Sequence, residues 1–255
     1  MLNNSRCIIV GGGSSIREER YDIPVTNIPI WNAIKSECLF TANWSFLYCE
    51  PTIALYSDYQ FFVTQKELLD KLPMVVSIKD GYYDRKDSVK IGNNLTLLKG
   101  SSEYHGKDSW KLGFFSRHLT GIWSINFALR CGFEKIFVLG LDSCAINGHT
   151  HFYDDSQIGK HTWLGQERCG VGFNEQGGYK TIAYNTPTAL NNFWFKPFEN
   201  EKDKIINVSP KSAINTFSKW SYEQFYQYLK DNPVNINQDE TRKDIRKLIH
   251  DRTIN

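Results

Sequence analysis

Residues 120–142 read TGIWSINFALRCGFEKIFVLGLD, and this stretch decides which fold class the chain is expected to have. Apolar residues recur through Thr120–Cys131 at close to helical spacing, and the Gly132 that follows is a typical helix stop. The next run, Lys135–Asp142, is apolar until it ends in an acid, which is typical of a strand buried on both faces. A helix, a glycine and a buried strand in this order predict one turn of a βαβ winding.

Other short segments of the chain repeat these patterns. The predicted strands are Cys7–Val10, Leu39–Ala42, Ile53–Tyr56, Met74–Ile78, Leu95–Leu98 and Lys204–Val208. The further predicted helices are Gln65–Leu72, Thr188–Phe195, Tyr222–Lys230 and Glu240–Asp251. The alternation predicts an α/β, Rossmann-like fold with a mostly parallel sheet, helices on both of its faces, and additional C-terminal helices. We expect residues 1–220 to form one domain and residues 221–255 a helical extension packed on it.

The composition excludes several classes of protein. With 255 residues, 41% of them hydrophobic and 23% charged, the chain is neither collagen-like nor low-complexity and disordered. The formal net charge of +2 is too small to indicate a nucleic-acid-binding protein, although it leaves room for a local basic patch. No apolar run is long enough to span a membrane, and the first residues lack the pattern of a secretory signal. We therefore expect a cytoplasmic protein of a bacterium or of a phage-infected host, since frequent Asn and Ile are typical of AT-rich microbial and viral genomes.

The cysteines do not follow the spacing of a metal site. They form no C-x-x-C pair and stand mostly among apolar neighbours, at Cys7, Cys38, Cys49, Cys131, Cys144 and Cys169. Scattered cysteines in an intracellular chain are typically buried and reduced, so we expect neither a zinc centre nor a disulfide framework.

Three consecutive glycines follow the first predicted strand. Gly11, Gly12, Gly13 and Ser14 stand where an α/β fold places a nucleotide, because glycine lets the backbone approach a phosphate or ribose closely. A dinucleotide fingerprint would need glycine at position 16, which is Ile16, and the chain has no P-loop motif. We interpret this glycine turn as a mononucleotide site; an ordinary tight turn between strand and helix is the alternative.

Polar residues also end three other predicted strands. Asn43, Asp58 and Asp142 each follow an apolar run, and the carboxyl ends of parallel strands share one edge of a sheet. We expect the three side chains and the glycine turn to face one crevice. Asn and Asp also end strands simply as turn formers, which is the alternative interpretation.

The start of the helix at Thr120 is a second candidate for phosphate binding. Ser116 and Arg117 precede it, and Gly121 follows its first residue. A helix N-terminus offers free N–H groups and the positive end of the helix dipole, and a neighbouring arginine suits a phosphate. The alternative is that Thr120 is an N-cap and Arg117 is incidental.

The segment His149–Asp155 is rich in ionisable side chains. His149 and His151 could supply the proton shuttle that group-transfer reactions need. A metal site is not predicted, because no third ligand follows at a recognisable spacing and the two aspartates Asp154 and Asp155 are adjacent. A solvated rim is the alternative.

These motifs resemble those of the bacterial sialyltransferase superfamily of the Campylobacter type and its wider relatives, which include an archaeal pterin pyrophosphokinase. The resemblance rests on the strand that runs into the glycine turn, on Asn43 after the second strand, and above all on the block Arg117–Asp142. The turn Asn207–Ser212 also looks like one that follows the last strand of these folds. In the segment Thr181–Asn185, where the sialyltransferases carry a catalytic histidine, this chain has none.

The resemblance implies an enzyme that binds a nucleotide-activated sugar and transfers the sugar to a hydroxyl acceptor. The glycine turn, Asn43, Asp58 and the helix start at Thr120 would hold the donor nucleotide. Arg117 would stabilise charge on the departing phosphate, and Asp142 or one of the histidines His149 and His151 would accept the acceptor's proton. No further cofactor is implied.

Several alternatives remain open at this point. The superfamily also suggests a Mg²⁺-dependent pyrophosphokinase or another nucleotide-processing enzyme, and a non-catalytic nucleotide-binding protein is a third class. The acceptor is unknown: a surface glycan and a modified base in viral DNA both fit. In the second case the basic residues of Arg242–Lys247 would contact DNA phosphates, whereas a merely solvated helix face is the alternative.

Overall fold

A computed structural model describes residues 6–13, 15–16, 30–57, 59–79, 93–106, 109–115, 119–143 and 194–254. The strands in these residues are β1 (Arg6–Val10), β2 (Leu39–Ala42), β3 (Ile53–Tyr56), β4 (Val75–Lys79), β5 (Leu95–Ser101), β6 (Phe114–Phe115), β7 (Lys135–Leu139), β8 (Ile205–Asn207) and β9 (Ser218–Lys219). They form one parallel sheet in the order β6-β5-β4-β3-β2-β1-β7-β8-β9. Every residue of β1, β2 and β3 is buried, including the polar Arg6 and Thr41, and the remaining residues are apolar as expected for strands covered on both faces.

The helices of the described residues are α1 (Ile30–Ile34), α2 (Tyr59–Leu69), α3 (Thr120–Cys131), α4 (Tyr222–Asp231) and α5 (Gln238–Ile254), with short 3₁₀ helices at Asn43–Leu47, Trp110–Leu112 and Lys196–Lys204. The predicted α/β, Rossmann-like fold with C-terminal helices is confirmed. The predicted helix Thr188–Phe195 lies almost wholly outside the described residues.

Helix α3 has the predicted bounds because its end is determined locally. Gly132 takes a left-handed φ of 89° and its N–H donates to the carbonyls of Ala128 and Leu129. Glycine adopts this conformation without the steric cost that a side chain would add, so it ends the helix here.

Helix α2 and strand β7 differ from their predicted bounds. Helix α2 was predicted at Gln65–Leu72, but it begins at Tyr59, where aromatic residues hide the helical periodicity. Its end is set by a distant residue, since the Asn94 side chain donates to the carbonyls of Leu69 (2.8 Å) and Leu72 (2.7 Å). Strand β7 was predicted to reach Asp142, but it stops at Leu139 because Gly140 turns the backbone to a φ of 66°.

Contacts divide the chain into two compact units. The first consists of Met1–Ile9, Ile34–Ile136 and Val234–Asn255, and the second of Val10–Ala33 and Phe137–Pro233. Helix α4 therefore belongs to the second unit and helix α5 to the first. The predicted division at residue 220 stays a prediction.

Helix α3 forms the centre of the first unit. All of its residues except Gly121 are buried, so the helix has no solvent-facing side. Its aromatic residue Phe127 lies in a cluster of rings with centroid distances of 5.6–6.4 Å, formed with Phe40, Trp110, Phe114 and Trp123. Rings at such separations pack at tilted or edge-on angles, which contributes beyond simple burial of area.

Polar side chains of α3 hold strand β6 and its approach. The Phe115 N–H donates to Asn126 Oδ1 (3.0 Å), and Arg130 donates to the Gly113 carbonyl (2.7 Å). The Arg130 guanidinium also lies over the Phe114 ring, 4.2 Å from its centroid. Burial lowers the pKa of Arg130 to about 10, so this side chain stays charged at neutral pH.

Helix α5 is fixed to the first unit by hydrogen bonds to backbone and side chains. Gln238 donates to the Glu37 carbonyl (2.8 Å) and accepts from the Thr52 hydroxyl. The Glu37 carboxylate is itself buried and bound by two nitrogens of Arg6, at 2.8 and 2.6 Å. Such a pair is costly to break from one side, because the remaining charge would stay buried alone.

The described helices include none that is both long enough and apolar enough to cross a membrane.

Replacing Phe127 with Ala should lower the free energy of unfolding by about 3–5 kcal/mol, since truncating a buried aromatic side chain leaves a cavity. Urea unfolding measures this change. Val63→Ala on α2 is the control, because its side chain is 43% exposed, and it should change stability by only about 0.5 kcal/mol. Equal losses in the two variants would contradict the packing described around Phe127.

Candidate functional site

Three polar side chains of the first unit meet where β2 and β3 end and α3 begins. Thr120 Oγ1 lies 3.0 Å from Asn43 Oδ1 and 2.8 Å from Ser57 Oγ. The amide oxygen of Asn43 can only accept, so Thr120 donates its single hydroxyl hydrogen there. Ser57 must then donate to Thr120, which gives a hydrogen-bond chain from Ser57 through Thr120 to Asn43.

The backbone of Asn43 is in the left-handed region, with a φ of 52°. Asparagine tolerates this region better than most residues, but the conformation still costs free energy that its surroundings must offset. Such residues occur often at functional sites, where a fixed side-chain position is worth the strain. In the second unit, Ser143 has the same feature (φ 54°) directly after Asp142.

Thr120 is not the N-cap of α3. The N-cap is Leu119, which makes no side-chain capping bond, and Thr120 is the first helical residue. The N-cap interpretation of Thr120 was therefore wrong: its hydroxyl bonds to Asn43 and Ser57. Gly121, the other predicted residue of this helix start, is half-buried, and the first turn contains no acidic side chain that would compete with a bound anion.

The glycine turn of the second unit is hydrogen-bonded to the end of β7. Gly11 N–H donates to the Leu139 carbonyl and Gly13 N–H to the Gly140 carbonyl, both at 2.7 Å. Strands β1 and β7 are neighbours although five strands lie between them in sequence, so the strand order reverses here. Open α/β sheets bind ligands outside the carboxyl ends of their strands at such a point.

Close packing accounts for two of the three glycines. A Cβ on Gly13 would lie 2.5 Å from Asp142 Oδ2 and 2.7 Å from the Gly140 carbonyl oxygen, and one on Gly11 would collide with that same oxygen. No side chain fits at either position without a shift of the backbone. Gly11 and Gly13 are therefore explained by close contact with the end of β7. The role of Gly12 and the binding of a nucleotide stay predictions.

Asp142 has a structural role in this turn. Its side chain is buried, and Oδ2 accepts the Ser15 N–H at 2.7 Å. The Ser15 N–H at this turn is therefore already bound by the Asp142 carboxylate, and the negative charge of that carboxylate repels a phosphate. The arrangement suits a hydroxyl-bearing group better than a phosphate; the predicted role of Asp142 as a catalytic base stays a prediction.

The turn Asn207–Ser212 after β8 was noted in the sequence only as a motif resemblance, and no role at the site was predicted for it. Asn207 donates to the Leu141 carbonyl (3.1 Å) and to Ser212 Oγ (3.0 Å), and the Ala213 N–H donates to the Asp142 carbonyl (2.8 Å). Three buried polar atoms of this group have no hydrogen-bond partner in the described part of the chain: Ser15 Oγ, Asn207 Oδ1 and Ser209 Oγ. The available signal was the polar Asn-x-Ser-Pro-x-Ser pattern at residues 207–212, directly after an apolar strand.

Six predicted site residues lie outside the described residues: Ser14, Asp58, Ser116, Arg117, His149 and His151. The structure brings Asn43 and Thr120 together in the first unit, and the glycine turn and Asp142 together in the second. The predicted single crevice with Asn43, Asp58, Asp142 and the glycine turn stays a prediction.

The basic residues of α5 are partly engaged with the protein itself. Arg242 is buried and pairs with Asp239 at 2.7 Å, and Arg246 donates to the Pro73 carbonyl at 2.6 Å. Lys243 and Lys247 are exposed. Arg246 therefore connects α5 to the segment at Pro73, whereas the Arg242–Asp239 pair lies within α5.

Three of the four cysteines that the structure describes are buried, as expected. Cys7, Cys38 and Cys131 are buried and Cys49 is half-buried, and none of the four is in a disulfide. Burial raises the pKa of Cys38 to about 12 and holds those of Cys7 and Cys131 well above their usual range. The described residues contain no group of three or more His, Cys, Asp or Glu side chains that could bind a metal ion.

No family model, no curated protein and no solved structure matches this chain. The resemblance to the sialyltransferase superfamily therefore rests on the motifs alone.

Gly13→Ala should destabilise the ligand-free protein by about 1–3 kcal/mol, because the added methyl group has no room beside Asp142 and Gly140. Thermal unfolding without any nucleotide measures the effect, and Ser218→Ala at an exposed position is the control. Unchanged stability would mean that the turn does not approach β7 closely, and that glycine is there for another reason.

Native protein at pH 8 should resist alkylation at Cys7, Cys38 and Cys131, since the thiolate is the reactive form and burial raises all three pKa values. Unfolded thiols lose their protons above a pKa of about 8.5 while the folded ones keep theirs, so stability should fall as the pH rises past that value. Peptide mass mapping after iodoacetamide treatment, with and without urea, gives the comparison. Labelling of these residues as fast in native protein as in urea would be inconsistent with their burial.

Proposed function

We propose that the chain is a glycosyltransferase-like enzyme that binds a nucleotide-activated sugar and transfers the sugar to a hydroxyl acceptor. The observation that carries the proposal is the position of Asn43, held at the end of β2 by Thr120 and Ser57 with a left-handed backbone. Support also comes from the reversal of strand order at β1 and β7 and from the motif resemblance described above.

In the first unit, the side chain of Asn43 is the proposed contact to the donor nucleotide. Its oxygen is bonded to Thr120, whereas its amide nitrogen makes no hydrogen bond within the described part of the chain. A half-buried amide with two N–H donors can bind the acceptor atoms of a base or ribose. Because its position is fixed before the ligand arrives, little conformational entropy is lost on binding.

The glycine turn with Asp142, in the second unit, is proposed to bind hydroxyl groups. A carboxylate accepts hydrogen bonds from sugar hydroxyls, and the nearby Ser15 and Ser209 hydroxyls have no partner in the described residues. Arg117 is proposed to neutralise the departing phosphate. His149, His151 or Asp142 is proposed to take the proton of the acceptor hydroxyl, so that the C–O bond to the sugar forms as the bond to the phosphate breaks.

The first experiment is a thermal-shift screen against CMP-, UDP-, GDP- and ADP-linked sugars, with and without Mg²⁺. Binding to the folded state raises the melting temperature by mass action, so we expect one nucleotide class to shift it. Release of free nucleotide in the presence of a hydroxyl acceptor then measures transfer. Tight binding of the nucleotide sugar without turnover would contradict the proposal that the chain is an enzyme. Mg²⁺-dependent turnover of ATP, without any use of nucleotide sugars, would replace sugar transfer with pyrophosphoryl transfer.

Thr120→Val should weaken donor binding about 2- to 10-fold, because it removes the hydrogen bond that positions Asn43, which is worth about 0.5–1.5 kcal/mol. Thr120→Ser keeps the hydroxyl and should bind the donor nearly as well as the unmodified protein. Asn43→Ala should lose more affinity than either, and Asn235→Ala at an exposed position is the control. Calorimetric titration with the donor found in the screen measures all four. Equal affinity in Asn43→Ala and Asn235→Ala would exclude Asn43 from the site.

A further inference from the structure

An open depression of about 660 Å³ runs along one side of helix α4 in the second unit. Its aromatic side chains are Trp220 and Tyr228. The remaining side chains are all polar: Glu223, Gln224, Gln227, Asp231 and Asn232. Neither the donor site proposed above nor the motif resemblance uses any of these residues.

The two aromatic rings are fixed by packing against the interior of the unit. Their centroids lie 5.6 Å apart, and each lies against the fully buried ring of Phe137, at 5.6 Å for Trp220 and 5.2 Å for Tyr228. Phe225 supports Phe137 from α4 at 4.9 Å. Both outer rings remain half-exposed, so they offer solvent a rigid apolar surface that loses little entropy when a ligand binds.

The polar side chains of α4 form a row beside these rings. Glu223, Gln227 and Asp231 follow each other at intervals of four residues, which places them on one face of the helix over about 12 Å. Gln227 Nε2 donates to Asp231 Oδ1 at 2.8 Å, which orders two members of the row. The row therefore offers both hydrogen-bond donors and acceptors along this face of α4.

Charge and length decide what kind of ligand fits. Among the described residues, two carboxylates and no basic side chain line the depression, and this charge disfavours phosphates, sulfates and acidic sugars. A single small cation cannot contact both carboxylates, because Glu223 and Asp231 are about 12 Å apart along the helix. A neutral chain of sugar rings has the required combination: C–H faces that pack on aromatic rings, and hydroxyls that bond to carboxylates and amides.

We propose that the α4 depression binds a neutral oligosaccharide, with Trp220 as its stacking platform. Binding of the saccharide is independent of the proposed donor site; only its use as the acceptor of the transfer rests on the proposed function. An open depression suits a chain that extends in both directions, whereas a small molecule would be enclosed.

The test titrates the full chain with three neutral probes: cellohexaose, chitohexaose and maltohexaose. Binding is monitored by NMR through the indole N–H signal of Trp220. We expect one of the probes to shift this signal and the amides of residues 220–232 in a saturable manner. A sulfated heparin oligosaccharide and spermine serve as charged comparisons. The proposal is overturned if none of the three neutral probes binds, if the shifts lie elsewhere, or if spermine binds in their place.

Variants separate the ring from the polar row. Trp220→Ala should weaken binding at least 10-fold and Trp220→Phe by less, because phenylalanine keeps a ring to stack on. Gln227→Ala should also weaken binding; its side chain is exposed, so it tests the site even if Trp220→Ala fails to fold. Lys230→Ala on the same helix is the matched control, since Lys230 does not line the depression.

Unchanged affinity in both Trp220→Phe and Gln227→Ala would refute the assignment. The rise in melting temperature caused by the nucleotide sugar should persist in all these variants. A loss of oligosaccharide binding can therefore be distinguished from a failure of the proposed donor site.

Discussion

Hydrogen bonds between the turn after β1 and the end of β7 are the constraint on which the second unit depends. Gly11 and Gly13 donate to the backbone of residues 139 and 140, and Ser15 donates to the carboxylate of Asp142. These bonds form only if the two backbones approach so closely that a Cβ would collide, which accounts for the glycines. The reversal of strand order at β1 and β7 occurs at this contact, so the place where an α/β sheet usually binds its ligand is also a place of tight packing.

Polar residues at strand ends therefore serve two purposes in this protein. Asp142 caps a turn and, through its carbonyl, holds the chain after β8, whereas Asn43 keeps a half-exposed amide in a fixed and strained position. The first arrangement stabilises the turn after β1. In the second, Asn43 accepts a hydrogen bond from Thr120, whose hydroxyl in turn accepts from Ser57, and the left-handed backbone of Asn43 costs free energy.

Much of the fold was predictable because its signals are local. The bounds of α3 follow from its apolar spacing and from Gly132, and β2 and β3 follow from short apolar runs that end at polar residues. The end of α2 was not predictable, since Asn94 satisfies its last carbonyls from a segment more than twenty residues away. The candidate site divides in the same way. Asn43 and Asp142 were identified by position, but no role was predicted for Ser57 or for the turn at Asn207, because their roles come from hydrogen bonds to residues distant in sequence.

By itself the sequence determined the α/β class, the parallel strands and the polar residues at their ends, because hydrophobic periodicity and glycine stops act within a few residues. Only the tertiary structure decided which partners those residues have. It directed the Thr120 hydroxyl to Asn43 instead of the helix backbone, set the Asp142 carboxylate against Ser15, and backed Trp220 and Tyr228 with the buried ring of Phe137. The physical reason is that hydrogen bonds and ring contacts act over a few ångströms in space, and the folded sheet brings together atoms that lie far apart along the chain.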